Sequence, residues 1–334
     1  MRIFRDHLKF ILQSNIERFR TYRLELNEFA DWTIDEFNNW KKGLVFAENV
    51  RRHVHIDIDE EQDRTALQRS LRKLYRKFFY SNRIRRLKQK RFFRDWFHNL
   101  FHWNKKPTPG SDIFDWRTKN VVSSVKNQAK CGCCYAFSTA SILETLYALK
   151  RNSTEIIEFS PQQLTDCSAD GNNGCQGGNF GPSVRYILGR GGKIATAKSY
   201  PYVGKRQTCR DNGFDEIHLG RIEYQPLPEG DEKRMEEALI NHGPLFIGVD
   251  AETQRFMFYR SGILNIDGCP KQRRDMDHAM VIVGYGHDPA LKKSYWNIRN
   301  SWGTKWGENG YVRLAKDQDN MCGVASMAYY AKLV

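Results

Sequence analysis

No run of 18 consecutive apolar residues occurs in this 334-residue sequence, which excludes a membrane-spanning hydrophobic helix. The N-terminus, Met-Arg-Ile-Phe-Arg-Asp-His, lacks the apolar core and small-residue cleavage site of a secretory leader. Internal repeats are missing as well. No cysteine precedes Cys131, yet eight lie between Cys131 and Cys322. That clustering points to a disulfide-stapled domain made in an oxidising compartment; chance spacing in a cytosolic enzyme is the alternative. Together these observations lead us to expect an export signal upstream of Met1. Acidic residues are nearly absent from residues 64–106, where Asp95 alone stands against 15 Lys and Arg.

What is present describes a globular protein, 40% hydrophobic and 13% aromatic, long enough for two or three compact units. Residues 1–109 hold 25 Lys and Arg against 14 Asp and Glu, whereas residues 110–334 hold 28 against 25. Most of the net charge of +14 therefore sits at the front, and the partners of the rear part need not be polyanions.

Phe4, Leu8, Ile11 and Leu12 recur at helical spacing, and Ile16 and Phe19 extend the stripe. Tyr22 to Phe29 alternates in part, with Leu24 and Leu26 on one face. Asp31 or Thr33 is placed to cap a helix running to Lys42, with Glu36 completing a capping box after Thr33. Leu67, Leu71, Leu74 and Phe78 mark a basic amphipathic helix, and Pro107, Pro109 and Gly110 mark a linker. Helical patterns at Cys134–Lys150, Pro161–Cys167 and Pro182–Gly189 follow. Beyond about residue 215 come candidate strands Leu245–Val249, Ala279–Tyr285, Ser294–Arg299 and Gly310–Leu314, with one helix near Asp231–Asn241. A helical half followed by a β half predicts an α+β fold with its site in the cleft between them.

The segment Gln128-Ala-Lys-Cys131-Gly-Cys133-Cys134-Tyr135-Ala-Phe-Ser138 carries the chemistry. A thiol reacts as thiolate, and a helix N-terminus or an imidazolium lowers its pKa. Cys134 opens the predicted helix, so the positive end of the helix dipole lies beneath its sulfur. Zinc is the alternative for Cys-x-Cys-Cys with histidines, but no second Cys-x-x-Cys arm follows. The segment resembles the Cys-Gly-Ser-Cys-Trp-Ala-Phe signature of papain and the cathepsins, with Cys133 for Ser and Tyr135 for Trp. His278, 144 positions after Cys134, opens a strand, and Asn300-Ser301-Trp302-Gly303-Thr304-Lys305-Trp306-Gly307 resembles the family's Asn-Ser-Trp-Gly-x-x-Trp-Gly segment. Asn300 lies 166 positions after Cys134, slightly beyond the family range, and a loop insertion at His287–Lys293 accounts for the excess.

The resemblance implies a papain-like two-domain fold, with a helical left domain, a β-barrel-like right domain and a cleft between. It implies a cysteine endopeptidase that needs no metal or organic cofactor. Cys134 would be the nucleophile and His278 the base, in a thiolate–imidazolium pair acting through an acyl-enzyme. Asn300 would orient the imidazole, Trp302 would shield that bond from water, and Gln128 with the Cys134 N–H would form the oxyanion hole. Adjacent thiols at Cys133 and Cys134 raise the further idea of reversible oxidation, against the plain reading of Cys133 as a small side chain. Asn173-Gly174-Cys175-Gln176-Gly177-Gly178 resembles the loop whose last glycine pairs with substrate backbone. By alignment Phe180, Gly248, Ala279 and Met327 would line the main specificity pocket, which favours bulky apolar residues two positions before the scissile bond. No His-His insertion of the cathepsin B kind follows Gly178, which favours endopeptidase action.

The same resemblance implies disulfides Cys131–Cys175, Cys167–Cys209 and Cys269–Cys322, where the sequence alone leaves 15 pairings open. Asn152-Ser153-Thr154 is a glycosylation acceptor. At the front, Phe4-x-x-His7-x-x-x-Ile11-x-x-x-Asn15 and Leu26-Asn27-Glu28-Phe29-Ala30-Asp31 resemble the two motifs of cathepsin L-type propeptides, His7 and Glu25 standing where Asn and Gly are usual. We therefore expect a proenzyme of the cathepsin L or F kind: an N-terminally truncated inhibitor propeptide at 1–63, a basic insertion and activation linker at 64–109, and a peptidase domain at 110–334. Its partners would be protein and peptide substrates, its own propeptide and cystatin-type inhibitors, with polyanion contact through residues 64–106. The molecule would be a lysosomal or secreted monomer. The alternative function is a catalytically silent homologue that binds polyanions.

Overall fold

Capping and apolar spacing shape the front segment before the large sheet begins. The computed structural model describes residues 2–17, 20–41, 43–45 and 113–334, and the described part of the front segment belongs to the same unit as the remainder. The predicted basic helix and linker, with Phe19 and Lys42, lie outside the described residues.

Helix α1 (Arg2–Asn15) buries His7, Ile11 and Ser14, while Phe4 and Leu12 are exposed. The buried face is thus rotated from the predicted apolar stripe. His7 is the reason: its ring packs edge-on to Phe258 at 4.8 Å, and Nδ1 lies 3.1 Å from the Ala30 carbonyl. The stripe also stops early, with Ile16 81% exposed. Asn15 ends the helix by bonding the Leu24 backbone on both sides, donating to its carbonyl at 2.8 Å and accepting from its N–H at 2.9 Å. That pair leads the chain into strand β1 (Tyr22–Leu24). Helix α2 (Ile34–Lys41) starts with the expected capping box at Thr33. The Glu36 N–H donates to Thr33 Oγ1 at 3.1 Å, and the Thr33 N–H donates to the Glu36 carboxylate at 2.7 Å.

The peptidase part runs β2 (Phe114–Asp115), α3 (Cys134–Lys150), α4 (Pro161–Cys167), α5 (Phe180–Gly189), β3 (Lys193–Ala195), β4 (Glu216–His218), β5 (Ile222–Pro226), α6 (Glu232–His242), β6 (Leu245–Val249), β7 (Tyr259–Leu264), β8 (His278–Asp288), β9 (Lys293–Arg299), β10 (Tyr311–Ala315) and β11 (Ala328–Leu333). Helices α3, α4 and α5 form one half, and the large sheet, ordered β1-β7-β10-β9-β8-β6-β11-β5 with β2 on β8, forms the other. One apolar core joins the sheet to the front segment, and a second packs the three helices against Phe246, Val281, Val283 and Ala331 of the sheet. The predicted α+β architecture is the one observed.

Helix α3 is buried on nearly every side, so it reads as hydrophobic with small residues rather than amphipathic. Its single buried acid, Glu144, accepts the Phe159 N–H at 2.8 Å and the Ser123 hydroxyl. Arg299 of β9 donates to the hydroxyls of Ser123 and Ser141, which ties the helical half to the sheet through paired polar groups. The extra residues around 287–293 form the end of β8, a tight tip with Lys292 at φ 50°, and the start of β9. Three disulfides, Cys131–Cys175, Cys167–Cys209 and Cys269–Cys322, close loops of 44, 42 and 53 residues. Each contributes on the order of 4 kcal/mol in the chain-entropy account.

Candidate active site

Cys134 is the first residue of α3, and no side chain caps that helix end, so the dipole's positive pole faces the sulfur. Across the cleft, β8 opens with His278, and the next residue, Ala279, donates its N–H to Cys134 Sγ at 3.3 Å. The helix start and the strand start therefore meet. His278 Nε2 lies 2.8 Å from Asn300 Oδ1. Trp302 stacks on the imidazole, with centroids 4.6 Å apart and planes inclined by 29°. His278, Asn300 and Trp302 are all buried.

Gln128 is held from both ends. Its Oε1 accepts the Ser301 hydroxyl at 2.6 Å, its Nε2 donates to the Cys131 carbonyl at 3.0 Å, and its N–H donates to the Ser301 carbonyl at 2.8 Å. Tyr202 donates its hydroxyl to the Gln128 carbonyl at 2.5 Å and sits 3.1 Å from Cys133 Sγ. Cys133 thus points toward Tyr202 in the helical half. Burial pushes the Cys133 thiol up to about 12. Tyr135 takes the family Trp position and donates its hydroxyl to the Gly174 carbonyl at 3.1 Å.

The cleft is occupied by the chain's own residues 43–45. Gly43 donates its N–H to the Asp277 carbonyl at 3.3 Å, and its carbonyl accepts the Gly178 N–H at 3.1 Å. Val45 donates to the Gly178 carbonyl at 3.0 Å, so Leu44 runs parallel to Gly178. A methyl group on Gly43 would sit 2.5 Å from Cys134 Sγ, so only glycine lets the backbone lie this close to the sulfur. Under this cover burial drives the Cys134 thiol pKa far up, against the pull of the Ala279 N–H.

Leu44, 8% exposed, belongs to the core cluster that contains Phe180, Ala279 and Met327, together with Met276, which the sequence reading missed. Gly248 makes room for it: a Cβ there would stand 2.7 Å from Leu44 Cδ2 and 3.2 Å from Met327 Sδ. Of the four pocket residues named from the sequence, Gly248 lies against the Leu44 side chain, and Phe180, Ala279 and Met327 share its core cluster. Gly177, with φ 112°, faces the Val45 side chain. Neither Gly43–Val45 nor Ser301 and Tyr202 were singled out beforehand. A glycine and two apolar residues just beyond a helix were the available signal for the first group; the other two carried none.

A model of the papain family cysteine proteases matches residues 110–332, and one of the cathepsin propeptide inhibitor domain matches residues 1–37. The chain belongs to the papain family of cysteine proteases. Within that family it is 40% identical over 219 residues to cathepsin L of Sarcophaga peregrina, covering 65% of this chain and 62% of the relative. It is 32% identical over 335 aligned residues to a KDEL-tailed cysteine endopeptidase of Arabidopsis thaliana, covering 98% and 78%. The chain thus spans less than two thirds of that cathepsin L. Among solved structures, the proform of the ragweed pollen cysteine protease Amb a 11 superposes with a TM-score of 0.74 at 29% identity, covering 100% of this chain and 88% of the other. Procathepsin L2 of the Tenebrio molitor midgut superposes with a TM-score of 0.76 at 26% identity, covering 99% and 91%.

Proposed function

We propose that this protein is a cysteine endopeptidase zymogen in which Cys134 attacks the peptide carbonyl, His278 serves as acid and then base, and Asn300 orients the imidazole. The observation that carries this reading is the Gly43 backbone seated over Cys134 and bonded to the two cleft rims, Gly178 and Asp277. A segment so placed blocks the nucleophile, and its burial of the sulfur keeps the thiol protonated. Once residues 43–45 leave, water and the imidazole reach the sulfur, and the helix pole favours the thiolate. Gln128, fixed by Ser301, and the Cys134 N–H would hold the oxyanion.

Leu44, seated against Gly248 in the core cluster of Phe180, Ala279 and Met327, supports a preference for bulky apolar residues two positions before the scissile bond. Gly178 would pair with substrate backbone as it now pairs with Leu44's neighbours. The Cys133 thiol, turned toward Tyr202, reads as a packing group rather than a redox partner of Cys134. In this scheme residues 1–63 inhibit, 64–109 link and offer a basic contact for polyanions, and 110–334 catalyse. Cystatin-type inhibitors would enter the same cleft, Asn152 would carry a glycan on its exposed turn, and the monomer would act in lysosomes or outside the cell.

The test is to acidify the full chain, then measure labelling of Cys134 by an epoxide-type thiol inhibitor and turnover of leucyl and arginyl dipeptide substrates. Labelling with faster leucyl turnover is expected. An unlabelled, inactive product would sink the assignment in favour of a silent homologue, and equal leucyl and arginyl rates would sink the pocket reading alone.

A further inference from the structure

The turn after Gln128 is strained. Ala129 has φ 49°, in the left-handed region that a residue with a Cβ enters only at a cost. Ala129 is exposed, so packing does not force this conformation. Hydrogen bonds hold it instead. The Gln128 carbonyl and the Ala129 N–H belong to one peptide plane, whose rotation changes Gln128 ψ and Ala129 φ together. Both edges of that plane are gripped. The Ala129 N–H donates to Asn127 Oδ1 at 2.9 Å, and Asn127 is bridged to Trp302. On the other edge, the Gln128 carbonyl accepts the Tyr202 hydroxyl at 2.5 Å.

Tyr202 is itself tied to the helix that carries the nucleophile. Its ring packs edge-on against Phe137 of α3, with centroids 4.8 Å apart and planes inclined by 82°. Its one hydroxyl hydrogen goes to Gln128, so Cys133, 3.1 Å away, donates its S–H to the Tyr202 oxygen. Burial raises both groups, the Cys133 thiol to about 12, so both protons stay in place through acid and neutral pH. Gln128 Nε2 gives one of its two hydrogens to the Cys131 carbonyl, which leaves one for an oxyanion. Such a donor is effective only when held where charge develops. Ser301 fixes the Gln128 side chain and N–H, but not the peptide plane that follows.

We infer that Tyr202 is a positioning residue for the oxyanion hole: with Asn127 it clamps the strained Gln128–Ala129 peptide and registers Gln128 against the helix that carries Cys134. This rests on the endopeptidase reading above. Without the hydroxyl, Ala129 can relax out of the left-handed region and carry Gln128 with it.

The experiment uses the activated full-length chain, with kcat and KM for a leucyl dipeptide substrate measured per epoxide-labelled Cys134. Tyr202→Phe keeps the ring on Phe137 and removes only the hydroxyl. It should lower kcat by about threefold to tenfold, the worth of one neutral hydrogen bond, with KM unchanged and the same factor at every pH. Because the hydroxyl acts through Gln128, its removal should cost less than about twofold in a Gln128→Ala background. Ala129→Gly accepts the left-handed turn without strain, so beside it the Tyr202→Phe loss should also shrink to less than about twofold. Three results would overturn the inference and leave Tyr202 as a packing residue: an unchanged kcat, a loss confined to one limb of the pH profile, or a loss that persists in full beside either second substitution. Wild-type chain that turns over no substrate would refute the endopeptidase reading itself, a result distinct from all of these.

Discussion

Two of the places where the described front segment meets the peptidase differ in kind. Residues 20–41 form an anchor made of side chains: Phe29, Phe37 and Trp40 surround Trp302 at centroid distances of 5.8, 5.2 and 5.5 Å. Strand β1 adds to the edge of β7, and the Thr21 hydroxyl donates to the Ile263 carbonyl at 2.6 Å. Residues 43–45 form a plug made almost entirely of backbone, with Leu44 as its one buried side chain. The anchor buries large aromatic surface, the main source of association free energy, yet touches no reacting atom. The plug buries little and lies on the sulfur. Affinity and blockade are thus housed separately, and the anchor's aromatic cluster still ends on Trp302, which stacks on His278.

Substitutions can pull these two contributions apart. Trp40→Ala removes an indole at the centre of the anchor and should cost about 3–5 kcal/mol, the range for a large aromatic in a packed core. We expect Cys134 to become labelled at neutral pH without acid treatment; retained latency would show that the plug holds by itself. Leu44→Ala empties the pocket at about 2–4 kcal/mol. It should speed labelling while the melting profile of the anchored zymogen changes less than in Trp40→Ala.

Gly43→Ala sets a methyl group against Cys134 Sγ and the Gly132 backbone, an overpacking strain of about 1–3 kcal/mol. The plug should lift while the anchor stays, seen as faster alkylation of Cys134 with unchanged Trp40 and Trp302 fluorescence. A shift in that fluorescence would mean that plug and anchor move as one.

The smallest effect concerns pH. The Thr33 N–H and hydroxyl hold the Glu36 carboxyl below the usual carboxylate range. A carboxylate lowered by folding stabilises the folded state above its unfolded value, and that contribution disappears as pH falls through the lowered value. Glu28 acts in the opposite sense: burial raises its carboxyl, against Lys305, so it favours the docked state in acid. Glu36→Gln should therefore make the acid release of α2 less steep below the ordinary carboxylate pKa, measured as zymogen fluorescence against pH. An unaltered acid limb would remove the capping box from the account of activation.

Helix α3 from Cys134 to Lys150, α4, and β6 follow the bounds read from their patterns, and β8, β9 and β10 differ by a few residues. These elements were legible because apolar periodicity and turn residues agree locally. Strands β7 and β11 were not read, since Tyr-Arg-Ser-Gly-Ile-Leu and Ala-Tyr-Tyr-Ala-Lys-Leu alternate only in part and take their order from the strands beside them. The turned face of α1 was illegible for a similar reason, because a histidine counts as polar in a pattern but packs as a ring against Phe258.

Sequence by itself determined the chemistry on offer. A cysteine at a helix start, a histidine at a strand start and an Asn-Ser-Trp-Gly segment are local arrangements whose types and spacing carry meaning before folding. Tertiary structure alone decided what each group faces: Cys133 toward Tyr202 and Gly43 over Cys134. The physical reason is that side-chain direction, burial and hydrogen-bond partners at these positions come from segments distant along the chain, brought together only when the helical half and the sheet close on the front segment.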